Sequence, residues 1–478
     1  MPSLPAKLPR PPNLIVFLPD QQRADTIACY GNGKVHSPNL GKLAAEATLF
    51  QRAYVTQPVC SPSRSSLLSG TWPHANGVTR NSVPLTPKIR VLPELLTNPD
   101  YRTAYFGKWH LGDETTRQRS FQEWIATEDV GGYTEFLRAH GQRPDQPDGA
   151  FSTLAISKLP VELSKPRFLE SHACRFIKEN RSAPFILYVA FAEPHSPYNG
   201  PLNDEHQLAE VELDHTALVP PNNDVPLRYR LMREWQRDYA ERDRQRGSDL
   251  YFFGSTPEEY RRIKQRYLGL VTLVDESIGA ILKCVEEAGM AAHTIVVHTS
   301  DHGDMMGAHH LFAKEVMFEE AVRVPYLIRL PGQRSGHVVP QAVSQIDFVP
   351  TLLDLLGQAP ATQCPGKSRR RLVQGEEMPP ENIFIEWSPN RTKIKKGTAL
   401  GSRGEVQRAI EESTRTVVLP DGWKLSLRDK DLNELYHLND DPLEMHNLAA
   451  ETRQADVLVR GRDAIRRWQA TVGDPLKL

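Results

Sequence analysis

The feature that most constrains this chain is a set of short, unbroken apolar runs set far apart: NLIVFL at 13–18, PFILYVAF at 184–191, TIVVHT at 294–299 and PYLIRL at 325–330. A strand with one wet face alternates apolar and polar residues, whereas a run that is apolar throughout has to be covered on both faces. Between the runs lie amphipathic segments with apolar residues at helical spacing, of which RYLGLVTLVDESIGAILKCVEEAG at 266–289 is the clearest. Strands divided by helices predict an α/β fold, a large mostly parallel sheet sandwiched by helices. At 478 residues the chain exceeds what a single growing core accommodates, so a smaller second unit is expected.

The pattern changes at about Glu381. TRTVVLPDGWKLSLRD at 414–429 reads as two strands joined at Pro420, Asp421 and Gly422, and NELYHL at 433–438 adds another. A final helix is expected over roughly Thr452 to Val472. The organisation read from the sequence is therefore a large α/β domain over 1–380 and a C-terminal subdomain over 381–478, with a small antiparallel sheet and the terminal helix. Two polar, Pro-rich or charge-rich stretches, 111–165 and 199–260, read as insertions on the sheet's rim. The densest charge run, REWQRDYAERDRQRGSD at 233–249, reads as a solvated helix face.

Lys plus Arg total 58 against 59 for Asp plus Glu, a balance that gives neither nucleic acid nor an anionic membrane an electrostatic reason to bind. Any anion chemistry must be local. The five cysteines, Cys29, Cys60, Cys174, Cys284 and Cys364, form neither a disulfide framework nor a CxxC pattern, which suits a reducing compartment. The opening MPSLPAKLPRPPNLIVFLPD has LIVFL as its only apolar run and no cleavage-site pattern after it. No run approaches a membrane span. A cytoplasmic protein is the expectation.

Two of the core runs end in acids: NLIVFLP runs into Asp20-Gln21, and TIVVHTS into Asp301-His302-Gly303. Functional groups of an open parallel sheet gather at the carboxyl ends of its strands, so these distant pairs are expected to face one crevice. Two carboxylates and an amide oxygen suit Ca²⁺ or Mg²⁺, and the imidazole admits Mn²⁺. Taken singly, each pair also reads as a helix cap or turn acid. In CSPSRSSLLSG, residues 60–70, Ser61 and Pro62 read as N-cap and first helical residue, which places Cys60 just ahead of a helix. Free N–H groups, the helix dipole and Arg64 one turn in would favour an anion there. Cys60 then reads as a buried thiol or as a low-pKa nucleophile. A phosphatase loop of the Cys-x5-Arg kind would need arginine at position 66, which is serine.

CSPSR with Leu67 or Leu68 and Gly70 resembles the signature of the formylglycine-dependent sulfatases of the alkaline phosphatase superfamily, in which the cysteine is oxidised to an aldehyde by a maturation enzyme. FGKWHLG at 106–112, PHSPY at 194–198, SDHGDMMGAH at 300–309, Lys314 with the following RVP, SQIDFVPTLLDLLG at 344–357 and ELYHLNDDPLEMHNLA at 434–449 resemble sulfatase segments in the same order. The resemblance runs from about residue 13 to 450. It implies a hydrated aldehyde at residue 60, one hydroxyl of which, bound to a metal, attacks the sulfur of a sulfate ester while the second lets the covalent sulfate collapse back to aldehyde. By position it implies that Asp20, Gln21, Asp301, His302 and the modified Cys60 hold a divalent metal, Ca²⁺ first, with Arg64 steadying the diol and the sulfate charge. Lys108 and His110, on one side of an extended segment, would bind sulfate oxygens and assist deprotonation. His195 and Lys314 would contact sulfate and protonate the leaving oxygen, and Asn81 is a further sulfate contact. His309 and His310 read as supporting residues, and Asp347 as the cap of the helix through PTLLDLLG.

The sequence departs from many sulfatases in having Asp20-Gln21 where two acids are common, and Asp301-His302 where Asp-Asn is common. Both pairs also resemble the phosphonate monoester hydrolase and choline-sulfatase-like branches, while the intact Lys108-Trp109-His110 favours sulfate. Three readings follow: a sulfuric ester hydrolase for an aryl, small-molecule or saccharide sulfate, a phosphonate monoester or phosphodiester hydrolase, and a catalytically silent sulfated-glycan binder with Cys60 unmodified.

Overall fold

The computed structural model describes residues 10–127, 132–247, 252–390 and 397–478. Parts of the stretches 111–165, 199–260 and 381–478, and the first nine residues, thus lie outside the described residues. The strands are β1 (Asn13–Phe17), β2 (Thr48–Tyr54), β3 (Arg102–Gly107), β4 (Glu123–Ile125), β5 (Phe185–Ala190), β6 (Thr294–Thr299), β7 (Arg323–Val324), β8 (Tyr326–Arg329), β9 (His337–Ser344), β10 (Ile383–Trp387), β11 (Thr414–Val418), β12 (Trp423–Arg428) and β13 (Glu434–His437). The first nine form one sheet in the order β4-β3-β5-β1-β6-β8-β2-β7, with β9 beside β2, and the last four form a separate antiparallel sheet in chain order.

The apolar runs at β1, β5 and β6 are neighbours and parallel, as their two-sided burial demands. PYLIRL departs from that pattern: β8 is antiparallel to both β6 and β2. A run apolar at every position signals double coverage, which an interior antiparallel strand also receives. The stretch 111–165 is likewise not all rim, because β4 extends the sheet parallel to β3. The charge run up to residue 247 lies largely on the helix Leu227–Gln245.

Successive residues of β1 feed two cores. Leu14 and Val16 face a core shared with Leu67 and Leu68 of the helix Cys60–Ser69 and with Phe348, Val349 and Leu352 of the helix Phe348–Leu355. Ile15 and Phe17 face the other, with Phe168 and Phe176 of the helix Lys165–Glu179 and Ile278 and Ile281 of the helix Pro257–Glu287. Each such fully buried side chain contributes about 1.5–3 kcal/mol from its removal from water. Ile383, Ile385 and Trp387 of β10 belong to the first core too, so the small sheet packs into the large one. The helix Ala455–Val472 covers the small sheet through Ala464 and Ile465, packed with Leu425 and Leu435. No helix among the described residues is long and apolar enough to cross a membrane.

Candidate functional site

The order β3-β5-β1-β6 is four parallel strands side by side, and each hands its next residues to one edge. β1 delivers Asp20 and Gln21, β6 delivers Asp301 and His302, β3 delivers Lys108, and the loop after β5 delivers His195. Gly107 makes the β3 exit possible. Its φ is +113°, and a Cβ there would sit 1.9 Å from the Ala190 carbonyl oxygen, so only glycine lets β3 and β5 close up immediately before Lys108.

The cysteine helix packs against the sheet face that carries Leu14 and Val16. It begins at Cys60 itself, with Val59 at N-cap, and no side chain of its own caps it. Ser61 is therefore inside the helix rather than its N-cap. Pro62 is tolerated because the first turn's N–H groups have no intrahelical partner anyway. The Ser61 N–H donates instead to Asn81 Oδ1 at 3.0 Å, a cap supplied from 20 residues away. All ten helix residues are buried, and the helix ends at Gly70 in the left-handed region (φ +68°).

Among the described residues, Asp20, Cys60, Asp301 and His302 bring one ligand atom each to within 4.8 Å of one another. His302 Nε2 stands 3.1 Å from Cys60 Sγ. Its Nδ1–H donates to the Gly303 carbonyl at 2.9 Å, which fixes the ring with Nε2 facing the cluster. Arg64 spans the two carboxylates: Nε donates to Asp301 at 2.8 Å, one terminal nitrogen to Asp20 at 3.2 Å and the other to the Lys108 carbonyl at 2.8 Å. Lys108 Nζ pairs with Asp20 at 2.9 Å. Opposite lie Lys314 and His195, with Nζ donating to His195 Nε2 at 2.8 Å while His195 Nδ1–H is held by the Ser196 carbonyl at 2.7 Å.

The electrostatics follow from this packing. Burial raises the Cys60 thiol's pKa, but Lys314, His302, Lys108 and a hydrogen bond from His110 outweigh it and hold the group well below the ordinary thiol range. Burial and the Cys60 charge oppose ionisation of Asp20, yet Lys108, His195 and Arg64 keep its pKa below the usual carboxylate range. Asp301 is shifted upward by burial and by Asp20 beside it. Burial opposes the charged His302 ring, but Asp301 and Cys60 outweigh it and raise its pKa above the usual imidazole range. Two buried carboxylates that repel one another, with an imidazole nitrogen and the side chain of residue 60 beside them, make a donor set that suits a divalent cation.

Several sequence expectations come out differently in detail. Lys108-Trp109-His110 is not extended, since His110 has φ +58°; the two side chains reach the site separately, Lys108 at Asp20 and His110 at Cys60. The Gln21 side-chain oxygen accepts from Lys314 Nζ. Asp347 stands at the N-cap position of its helix without capping it; its carboxylate instead takes Arg369 and the Lys367 N–H, both at 2.8 Å. His309 stacks on Phe318 at 3.8 Å, and His310 is held by the Val219 carbonyl. Asp304, buried behind Gln21 and bonded to its amide, was not singled out from the sequence. Its place three residues after Asp301 in SDHGDMMGAH is the signal that was available.

The donor cluster at this sheet edge suits a divalent cation, and the lysines and histidine that flank it suit a tetrahedral oxyanion ester, the substrate of a hydrolase. Comparison with known proteins narrows it. The family model described as Sulfatase matches residues 12–358. The chain belongs to the sulfatase family and is a sulfuric ester hydrolase. It is 30% identical over 359 residues to an ulvan-active sulfatase of Formosa agariphila, an alignment spanning 73% of this chain and 62% of that protein. It is 26% identical over 491 residues to an N-acetylglucosamine-6-O-sulfatase of Bacteroides thetaiotaomicron, spanning 93% of this chain and 84% of the relative. A phosphonate monoester hydrolase from Silicibacter pomeroyi shares the fold, with a TM-score of 0.79 at 23% identity over 96% of this chain and 95% of that one.

Proposed function

We propose that this chain hydrolyses the sulfate ester of a saccharide, with Cys60 converted to formylglycine by a maturation enzyme and Ca²⁺ held by Asp20, Gln21, Asp301, His302 and residue 60. The observation that carries this reading is the convergence of Cys60 Sγ with Asp20, Asp301 and His302, while Lys108 and the His195–Lys314 pair flank the same point. Two relatives whose names specify ulvan and N-acetylglucosamine 6-O-sulfate support a saccharide. When bound, the ion would supply charge neutralisation and acidify a hydroxyl, and formylglycine would supply that hydroxyl.

The chain's own residues do the rest. Arg64 keeps the two carboxylates apart and aimed. His110, which reaches residue 60, would assist the deprotonation of the nucleophile. Lys108, paired with Asp20, presents its ammonium to a sulfate oxygen, and Asn81, whose Oδ1 is committed to Ser61, offers Nδ2 to another. His195 and Lys314 share a proton between Nε2 and Nζ and deliver it to the leaving alcohol oxygen.

Mass spectrometry of the Cys60 peptide, from protein made beside a formylglycine-generating enzyme, is expected to show the aldehyde, and Cys60→Ala is expected to abolish turnover. A panel of aryl sulfate, saccharide sulfates, phosphonate monoester and phosphodiester, compared by kcat/KM, is expected to favour a saccharide sulfate. A phosphonate or phosphodiester preference would overturn the assignment, as would unmodified Cys60 with binding and no turnover.

A further inference from the structure

Gln21 is the least expected ligand of the proposed cation site, because an amide can present either oxygen or NH2. An inverted amide would point two N–H dipoles at the ion. We propose that Asp304 is the positioning residue that fixes the Gln21 amide with its oxygen toward the cation site; the inference rests on the metal reading above.

Both residues are completely buried, so no solvent decides the orientation. Gln21 is further held by its backbone, which lies at φ +70° with its N–H donating to Asp301 Oδ1 at 3.0 Å. Its side-chain oxygen accepts from Lys314 Nζ, a group that has only protons to offer. Its Nε2 donates to Asp304 Oδ2 and, at 3.2 Å, to the Tyr198 oxygen. The single Tyr198 proton is committed to Asp304 Oδ2 at 2.6 Å, so the phenol oxygen needs a donor in return. Inverting the amide would set NH2 against an ammonium and a carbonyl oxygen against both a carboxylate and a phenol lone pair. One orientation satisfies every group, and Asp304 is the acceptor on which it depends.

The two oxygens of Asp304 divide their tasks. Oδ1 takes the backbone N–H groups of Met306 and Ala313, each at 2.9 Å, and so ties the loop after β6 together. Oδ2 takes Gln21 and Tyr198. Asp304 also places a negative charge one hydrogen bond behind a position where an acid would carry it directly, which polarises the amide oxygen.

This division makes the test selective. In Asp304→Asn the side-chain oxygen retains both backbone bonds, while an NH2 replaces Oδ2 and turns the Gln21 amide over. Titration calorimetry of the full chain with Ca²⁺ alone is expected to show affinity falling about 10–100-fold, with the Ca²⁺-induced rise in Tm shrinking in parallel. The double variant Gln21→Glu/Asp304→Asn is expected to regain wild-type affinity, because a carboxylate accepts from the introduced amide with one oxygen and leaves the other for the ion. Equal affinity in wild type and Asp304→Asn would overturn the inference alone. A double variant that melts like the wild type yet binds no better than Asp304→Asn would also overturn it. A wild-type protein that binds no Ca²⁺ would overturn the metal reading and the inference with it.

Discussion

Arg64 gives the sharpest stability prediction. Its guanidinium is fully buried, and three nitrogens reach three acceptors in different directions: Asp301, Asp20 and the Lys108 carbonyl. In Arg64→Lys the charge stays, but a single ammonium cannot span that fork. One carboxylate and the carbonyl lose their donor. Two lost hydrogen bonds with a charged donor at about 1.5–3 kcal/mol each give about 3–6 kcal/mol, and breaking one arm of a buried ion pair independently gives about 3–5 kcal/mol. Unfolding entropy of about 2.1 cal/mol/K per residue amounts to roughly 1 kcal/mol/K for a chain of this length. Calorimetric melting in EDTA at neutral pH is therefore expected to show Tm lowered by about 3–5 °C. Added Ca²⁺ is expected to narrow the gap, because the cation neutralises the carboxylate left bare. A variant that melts within about 1 °C of wild type while kcat/KM collapses would refute the bracing role and assign the guanidinium to the sulfate instead.

Three further perturbations test other parts of the structure. His298, inside β6, has its pKa pushed down to about 3 by burial; below the free imidazole's value of about 6.5 the unfolded chain takes up a proton that the native ring refuses, so stability falls with pH, by about 2–3 kcal/mol at pH ~4.5. His298→Leu is expected to flatten the acid limb of a Tm–pH curve, and parallel curves would contradict the assignment. His195→Ala is expected to lower kcat/KM about 10²–10⁴-fold for sulfate esters of weakly acidic alcohols and much less for an activated aryl sulfate; equal losses on both would remove it from leaving-group protonation. Gly107→Ala drives a Cβ into the Ala190 carbonyl, so Tm and kcat are expected to fall together as Lys108 shifts, by about 1–3 kcal/mol in stability, and an unchanged Tm would show that the strands part freely.

Legibility in the sequence tracked the range over which each feature is determined. β1, β5 and β6 were readable because a strand buried on both faces is apolar throughout. β2 and β3 were not, since TLFQRAY and RTAYFG carry Gln51, Arg52 and Arg102 on positions that reach solvent. The two acidic pairs were readable from their place after β1 and β6, whose pairing makes them neighbours. The start of the Cys60 helix was misplaced by two residues because its cap, Asn81, is remote in sequence. Asp304 offered only its place three residues after Asp301, because its side-chain partners are remote: Gln21 lies 283 residues away and Tyr198 lies 106 residues away. Only the closed sheet brings the three together.

The entry of β10 into the first core bears on how the chain is made. β1 finds its partner β6 only after some 280 further residues, and Thr56 at the end of β2 receives the Glu386 N–H still later, at 2.7 Å. While the chain emerges from the ribosome, Val339, Val343 and Leu353 therefore lack the Ile383, Ile385 and Trp387 side chains that share their core. Non-local pairing of this kind is slow and leaves apolar surface open during synthesis. The catalytic edge is encoded mostly in the first two-thirds of the sequence, but a nascent chain halted there holds an unfinished core, and chaperone occupancy is expected to persist until the last hundred residues have been translated.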